Sequence, residues 1–420
     1  MNNENAYMAE AVAGFTPRTA MEEAARCLLC HDAPCSKSCP AGTDPAKFIR
    51  SIRFRNVKGA AETIRENNVL AGSCARVCPY DRLCEQACSR CGIDRPIEIG
   101  RLQRFAVEQE KQYGMKILQA GRKEAGKIAC IGGGPASLTV AAELAKKGYD
   151  VTIYEAQSKM GGYLTYGIIP ARLPQEVVDF DIGKVAELGV RFVVNTKVGQ
   201  DISFAQIRRE YDAVFIGIGL WQPKLPDIPG RDLAGVTNAI DFLKCARESG
   251  GKAEIGRRIL VIGGGDVAMD CAATAQLLGA EKVSIWYRRS LNEAPAGRAE
   301  IEYVTKLGIS ITTDMVPKAI EGNGRVAYMR FTGRDGESEA CIACDQVVFA
   351  IGQAPEIPEG MQLETGSKGL LSVQADACSL EGVFAAGDIV NGGRTVVEAV
   401  ASGKAAAESI AAYLAGKENK

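Results

Sequence analysis

One stretch constrains the fold more than any other: Lys127 to Gln157, KIACIGGGPASLTVAAELAKKGYDVTIYEAQ. The run Lys127 to Ile131 is almost wholly apolar, as a strand covered on both faces must be. Gly132 then predicts a tight turn, and Gly134 an unobstructed approach of backbone to a ligand. The helix from about Ala136, just after Pro135, turns its free N–H groups toward that ligand. Ser137 occupies the third small position, which keeps helix and strand close. Glu155, 23 positions beyond Gly132, ends the next strand where a carboxylate accepts hydrogen bonds from a ribose. The pattern reads as a dinucleotide site, here the seat of a flavin. An ordinary glycine-rich turn in an α/β domain is the plainer alternative for this stretch taken alone.

The design recurs in Arg257 to Ala273, RRILVIGGGDVAMDCAA, with Gly263, Gly265 and Ala268 at the small positions and Asp266 and Val267 beside them at the helix start. Two such sites in one chain are far more specific than one. AVFIGIG (Ala213 to Gly219) and QVVFAIG (Gln346 to Gly352) are apolar strands that run into glycines and bracket the second site. That symmetry predicts an insertion: a nicotinamide-binding domain over 230–344 set into a flavin domain over 125–229 and 345–420. The ending, from VFAAGDIV onward, completes the flavin domain with a strand, a turn at Gly387-Asp388 and a long helix of small residues. Residues 1 to about 120 carry no glycine fingerprint and read as short helices joined by cysteine-bearing loops. Asp44-Pro45 predicts a cap and first turn for AKFIRSIRF, and NVKGAAETIREN is a second helical pattern.

A chain of 420 residues holds roughly two to four domains. Its 50 Lys and Arg against 51 Asp and Glu give a net charge of -1, which offers no electrostatic case for nucleic acid or a membrane surface. The start, MNNENAYMAE, lacks a basic and apolar signal region, and no apolar run approaches the roughly 20 residues of a spanning helix. A cytoplasmic location is the expectation. There are 15 cysteines, an odd count that argues against a disulfide framework in such a chain. Nine of them fall between Cys27 and Cys91, which points to metal. The first block is C-x2-C-x4-C-x3-C-P, at Cys27, Cys30, Cys35, Cys39 and Pro40; the second is Cys74, Cys78, Cys84, Cys88 and Cys91. Any four would satisfy tetrahedral zinc. The first run, however, resembles the ferredoxin pattern in which three cysteines hold one cluster and the cysteine before proline ligates another. Iron beside a flavin also has a purpose, since a flavin takes up a hydride as two electrons and releases them singly.

RCLLCHDAPCSKSCPAGTDPAKFIRSI, CARVCP, LCEQAC and PIEIGRLQRF, followed by GGGPAS and GGGDVAMD, resemble the flavin-containing electron-input subunits of bacterial dihydropyrimidine dehydrogenase. The amino-terminal half of the single-chain animal enzyme is similar, and more distantly the small subunit of glutamate synthase. The resemblance covers nearly the whole chain, with the cysteine blocks its most specific part. It implies a Rossmann-like α/β flavoprotein with two dinucleotide-binding domains and an N-terminal helical iron–sulfur domain. It implies FAD, NAD(P)H and two 4Fe-4S clusters with crossed ligation: Cys27, Cys30, Cys35 and Cys88 for one, and Cys39, Cys78, Cys84 and Gln103 for the other. Cys74 and Cys91 are then spare and pack near the clusters. For FAD the resemblance adds Gly162, Leu164, Arg172, Gly387 and Asp388, with Thr395 and Val396 at the start of the last helix. It implies as partner an FMN-containing catalytic subunit, in a heterotetramer that reduces uracil or thymine. A glutamate synthase small subunit, or a related ferredoxin-linked oxidoreductase, is the alternative.

The strand KVSIWYRRS ends in Arg288-Arg289 where an NAD site usually has an acid, and guanidinium there suits the 2′-phosphate of NADPH. A solvated arginine pair at a strand end is the plainer alternative, and bacterial members of the pyrimidine family use NADH, so the nucleotide stays NAD(P)H. The single histidine, His31, sits between cluster cysteines and is expected to pack or hydrogen-bond there; no catalytic acid or base is assigned. Cys341-x-x-Cys344 has a dithiol spacing, but it leads straight into an apolar strand rather than opening a helix, so ordinary strand residues are expected. A zinc-stabilised scaffold that only binds nucleotides is the non-enzymatic reading, and bleaching of a bound flavin by NAD(P)H would exclude it.

Overall fold

The apolar run Lys127–Ile131 is the middle strand of a five-stranded parallel sheet, in the order Val383–Ala385, Ala213–Ile216, Lys127–Ile131, Asp150–Tyr154, Arg191–Val193. Its last four residues are buried, as a central parallel strand requires. The computed structural model describes residues 3–418. A second five-stranded parallel sheet has the order Val236–Asn238, Gln346–Phe349, Arg258–Ile262, Lys282–Trp286, Ser310–Thr312. Between its last two strands in sequence lies an antiparallel meander of Met315–Glu321, Tyr328–Gly333 and Glu339–Ala343.

The domain limits differ from those the sequence suggests. Gln346–Phe349 pairs with both Val236–Asn238 and Arg258–Ile262, so QVVFAIG belongs to the second sheet and does not begin the return to the first. The second sheet's compact unit runs over Trp221–Ala354, together with Met1–Ala11 and Tyr166–Pro174. The other unit joins Val12–Thr165, Gln175–Leu220 and Pro355–Lys420, with no break near residue 120.

Within that unit the N-terminal helices Pro17–Ala25, Pro45–Arg53, Val57–Asn67 and Ile99–Gln112 bury one core, including Phe48, Ile49, Ile52, Ile64, Leu102 and Phe105. Each such side chain contributes about 1.5–3 kcal/mol through its removal from water. The cap expected at Asp44 is present, its carboxylate accepting the Lys47 N–H at 3.1 Å, and Asn56 caps the next helix by accepting the Gly59 N–H at 2.9 Å. A short helix, Ala71–Val77, packs on Ile99–Gln112 and on Gln175–Glu187 of the first sheet's layer, which ties the helical part to the sheet. No helix among the described residues is long and apolar enough to cross a membrane.

Candidate functional site

The first glycine turn is shaped by what it lacks. A Cβ on Gly132, whose φ is +93°, would stand 2.6 Å from the Gly217 carbonyl oxygen. One on Gly162, at φ +55°, would stand 2.9 Å from Gly134 Cα. The loop of Gly161 is fastened to the turn by its N–H, which donates to the Gly133 carbonyl at 2.8 Å. Gly387 lies so near Ala136 that its own Cβ would come within 3.0 Å of the alanine's. Helix Pro135–Lys146 starts at Gly134 without a side-chain cap, and the nearest atom to a Cβ on Gly134 would be 3.9 Å away. Uncapped N–H groups facing open space are the cradle a pyrophosphate fits. The Glu155 carboxylate, buried at the end of its strand, takes N–H bonds from Gly133 at 2.6 Å and Gln157 at 2.7 Å.

Ser137 sits where helix meets strand end, since a Cβ on Gly217 would strike its hydroxyl at 2.3 Å. Leu164 is fully buried. Asp388 opens the short helix Asp388–Asn391, and burial raises its carboxyl above the ordinary value while the Arg394 N–H at 3.1 Å opposes the shift. Thr395 caps the long helix Val396–Glu418 through a reciprocal bond with Glu398, hydroxyl to carboxylate at 2.7 Å. Arg172 differs from expectation. It belongs to the other compact unit, where its guanidinium is engaged by Asp270 at 2.8 Å and Glu300 at 2.7 Å.

The second turn repeats the geometry in its own unit. A Cβ on Gly263 would lie 2.3 Å from the Ala350 carbonyl oxygen, and helix Asp266–Leu277 also starts without a side-chain cap, at Gly265. Asp266 is held by the Gly297 N–H at 2.7 Å, Ala268 is buried against Gly263, and Val267 is half-buried. Arg288 and Arg289 follow the strand Lys282–Trp286; both are exposed, and neither makes an ion pair among the described residues.

Several of the cysteines of residues 27–91 stand beside one another. Burial raises the Cys27 thiol, with Cys88 and Cys30 adding to the effect, and it raises Cys35 to about 11, with Cys88 and Cys27 as the neighbouring thiols. Around a separate cavity stand Cys39, Cys74, Cys78 and Cys84, with Gln103, Thr43, Tyr80, Gly100 and Val397 in the same wall. A hydrogen bond with Cys74, and burial after it, push the Cys78 thiol well up; burial and Glu85 do the same for Cys84. Gln103 is buried, and its Nε2 donates to the Ala71 carbonyl at 2.9 Å, which leaves the amide oxygen as the donor atom for a metal. Among the described residues no three His, Cys, Asp or Glu side chains gather closely enough to hold a single ion. Here the donors ring a cavity, an arrangement suited to a polynuclear cluster. Cys39, Cys78, Cys84 and Gln103, the set the resemblance implies for one cluster, all line this cavity.

Sequence spacing singles out neither Tyr80 nor Thr43. The Tyr80 ring lies against Gly100, where a Cβ would come within 2.3 Å, and its hydroxyl donates to the Cys74 carbonyl at 2.8 Å. The Thr43 hydroxyl is buried and has no partner among the described residues. Cys74, set aside as spare, lines the cavity. Cys91 is exposed, its thiol 3.4 Å from the Glu85 carbonyl oxygen. Cys341 lies in a meander strand and Cys344 just beyond it, where burial pushes the thiol up to about 12, unlike a reactive thiolate.

Residues 3–115 match the protein family described as dihydropyrimidine dehydrogenase domain II, 4Fe-4S cluster, and residues 126–403 match pyridine nucleotide-disulphide oxidoreductase. The NAD-dependent dihydropyrimidine dehydrogenase subunit PreT of Escherichia coli K12 is 46% identical over 411 residues, 98% of each chain. The chain belongs to this family. The glutamate synthase [NADPH] small chain of Escherichia coli K12 is 31% identical, over 95% of this chain and 92% of that one. Among solved structures, FprA of Mycobacterium tuberculosis in complex with NADPH shares the fold with a TM-score of 0.61 at 19% identity, over 70% of this chain and 86% of that one. Lactococcus lactis thioredoxin reductase has a TM-score of 0.57 at 22% identity, over 69% and 99% of the two chains. Like the family, the chain is a flavin- and iron–sulfur-containing oxidoreductase of pyridine nucleotides, with the two-nucleotide-site fold and a 4Fe-4S domain ahead of it.

Proposed function

We propose that the chain is the electron-input subunit of a cytoplasmic dihydropyrimidine dehydrogenase. It oxidises NAD(P)H at FAD and delivers electrons through two 4Fe-4S clusters to an FMN-containing catalytic subunit, in a heterotetramer, where uracil or thymine gains two electrons and two protons across its 5,6 bond. The bound flavin supplies the change from hydride to single electrons. The observation that carries this reading is the cavity wall in which Gln103 stands with Cys39, Cys78 and Cys84, since a neutral amide completing three thiols is the pyrimidine family's pattern.

Each residue then has a task. Gly132, Gly134 and the start of helix Pro135–Lys146 receive the FAD pyrophosphate, with Glu155 on the ribose side and Gly162, Gly387 and Asp388 closing the cradle. The last helix serves both groups: Thr395 and Val396 open it at the flavin, and Val397 lines the cluster cavity. Gly263, Gly265 and helix Asp266–Leu277 receive the NAD(P)H pyrophosphate. Cys27, Cys30, Cys35 and Cys88 hold the other cluster.

Co-expression with a candidate barrel subunit should yield a complex that oxidises NAD(P)H only when uracil or thymine is present. Glutamine- and 2-oxoglutarate-dependent oxidation with a glutamate synthase large subunit, and none with uracil, would overturn the reading. The unpaired guanidiniums of Arg288 and Arg289 predict a 2′-phosphate contact, and a charge-assisted bond of that kind is worth about 1.5–3 kcal/mol. Changing both to alanine should raise the KM for NADPH about tenfold or more and leave that for NADH nearly unmoved. Equal effects on the two nucleotides would show that the pair does not read the phosphate.

A further inference from the structure

We propose that the Thr43 hydroxyl donates a hydrogen bond to a sulfur of the cluster held by Cys39, Cys78, Cys84 and Gln103, and thereby sets that cluster's reduction potential. The inference rests on the presence of a cluster in this cavity. Thr43 is 2% exposed and forms part of the cavity wall. Its Oγ1 is the one buried side-chain polar atom of that wall with no partner among the described residues. Other polar atoms of the wall have partners: Gln103 Nε2 in the Ala71 carbonyl, the Tyr80 hydroxyl in the Cys74 carbonyl, and Asn68 Oδ1 in the Leu70 N–H at 2.9 Å. A hydroxyl kept out of water without a bond is destabilising, so its position marks a partner that belongs in the cavity.

The chain around Thr43 is fastened on both sides, which fixes where the hydroxyl can reach. Ahead of it the Gly42 N–H donates to the Cys39 carbonyl at 3.0 Å, and Lys404 Nζ holds the Ala41 carbonyl at 2.8 Å. Behind it Asp44 caps the helix Pro45–Arg53 and takes the Ser36 hydroxyl at 2.6 Å. A β-branched side chain on such a backbone has few rotamers. An O–H donor at sulfur stabilises the extra negative charge of the reduced cluster, and bonds of this kind are among the determinants of such potentials.

Thr43→Val keeps shape and removes the donor, while Thr43→Ser keeps the donor. In a redox titration followed by electron paramagnetic resonance, Thr43→Val should leave about tenfold less of this cluster reduced at a fixed potential. For a one-electron couple that is a midpoint lower by about 59 mV. Thr43→Ser should restore the wild-type value, and the other cluster and the flavin should not move. An exchangeable proton coupled to the reduced cluster should be present in wild type and Thr43→Ser and absent in Thr43→Val. A Thr43→Val protein with full iron and an unmoved midpoint overturns the proposal, as does one that loses iron, which would make Thr43 a packing residue only. Wild-type protein with iron for one cluster, about four atoms rather than about eight, would instead overturn the reading on which the proposal stands.

Discussion

Gln103→Ala is expected to abolish the paramagnetic resonance signal of one reduced cluster, or leave that cluster labile, while the other keeps its four cysteines and its spectrum. The cavity offers a competitor for the fourth ligand, because Cys74 lines it too. One observation favours the amide. Gln103 Nε2 is fixed by the Ala71 carbonyl, which orients its oxygen as a preformed donor. A neutral amide leaves the cluster one negative charge lighter than a thiolate would, so Gln103→Cys should retain about four irons there and lower the potential. An unaltered spectrum in Gln103→Ala, with loss of a cluster in Cys74→Ala or Cys91→Ala, would remove the glutamine assignment and with it the best residue-level reason to prefer the pyrimidine enzyme over the glutamate synthase relative.

What the sequence makes legible is what is local. The glycine turns and the Asp44-Pro45 helix start each encode their chemistry within a few residues, and the structure has them in place. The destination of QVVFAIG is a matter of strand pairing, and two apolar strands ending in glycine look alike whichever sheet receives them. Arg172 follows the IIP segment that sequence assigns to the flavin side, yet its partners Asp270 and Glu300 lie about a hundred residues on and no local rule points to them. Thr43, Tyr80 and Cys74 acquire meaning only from the cavity they share. Their positions depend on the packing of separate helices, which periodicity does not report.

The largest loss of stability is expected from Asp181→Ala. Arg65 and Asp181 are completely buried, 2.8 Å apart, and Glu110, equally buried, takes the Arg65 Nε at 2.8 Å. Arg65 also donates to the Val69 carbonyl, and the Phe180 ring lies 5.5 Å from its guanidinium carbon. Asp181 does more than balance charge, since it accepts the Gly72 N–H at 3.2 Å, the Ser73 N–H at 2.7 Å and the Ser73 hydroxyl at 2.8 Å. These are the first N–H groups of helix Ala71–Val77, whose first carbonyl holds Gln103 and whose last residue precedes Cys78. Removing the carboxylate leaves an under-compensated arginine and orphaned helix N–H groups in a dry site, a change that costs about 3–5 kcal/mol. Asp181→Asn keeps an acceptor oxygen and should cost less. The urea midpoint followed by circular dichroism should fall steeply in Asp181→Ala, with iron of the Gln103 cluster released before that of its neighbour. Combined with Arg65→Met, the second change should cost much less than either alone, because the stranded charge is then gone. An Asp181→Ala protein with an unshifted midpoint and normal iron retention would show that the helix is held by its apolar contacts, and that the buried charges are not what joins the cluster layer to the sheet.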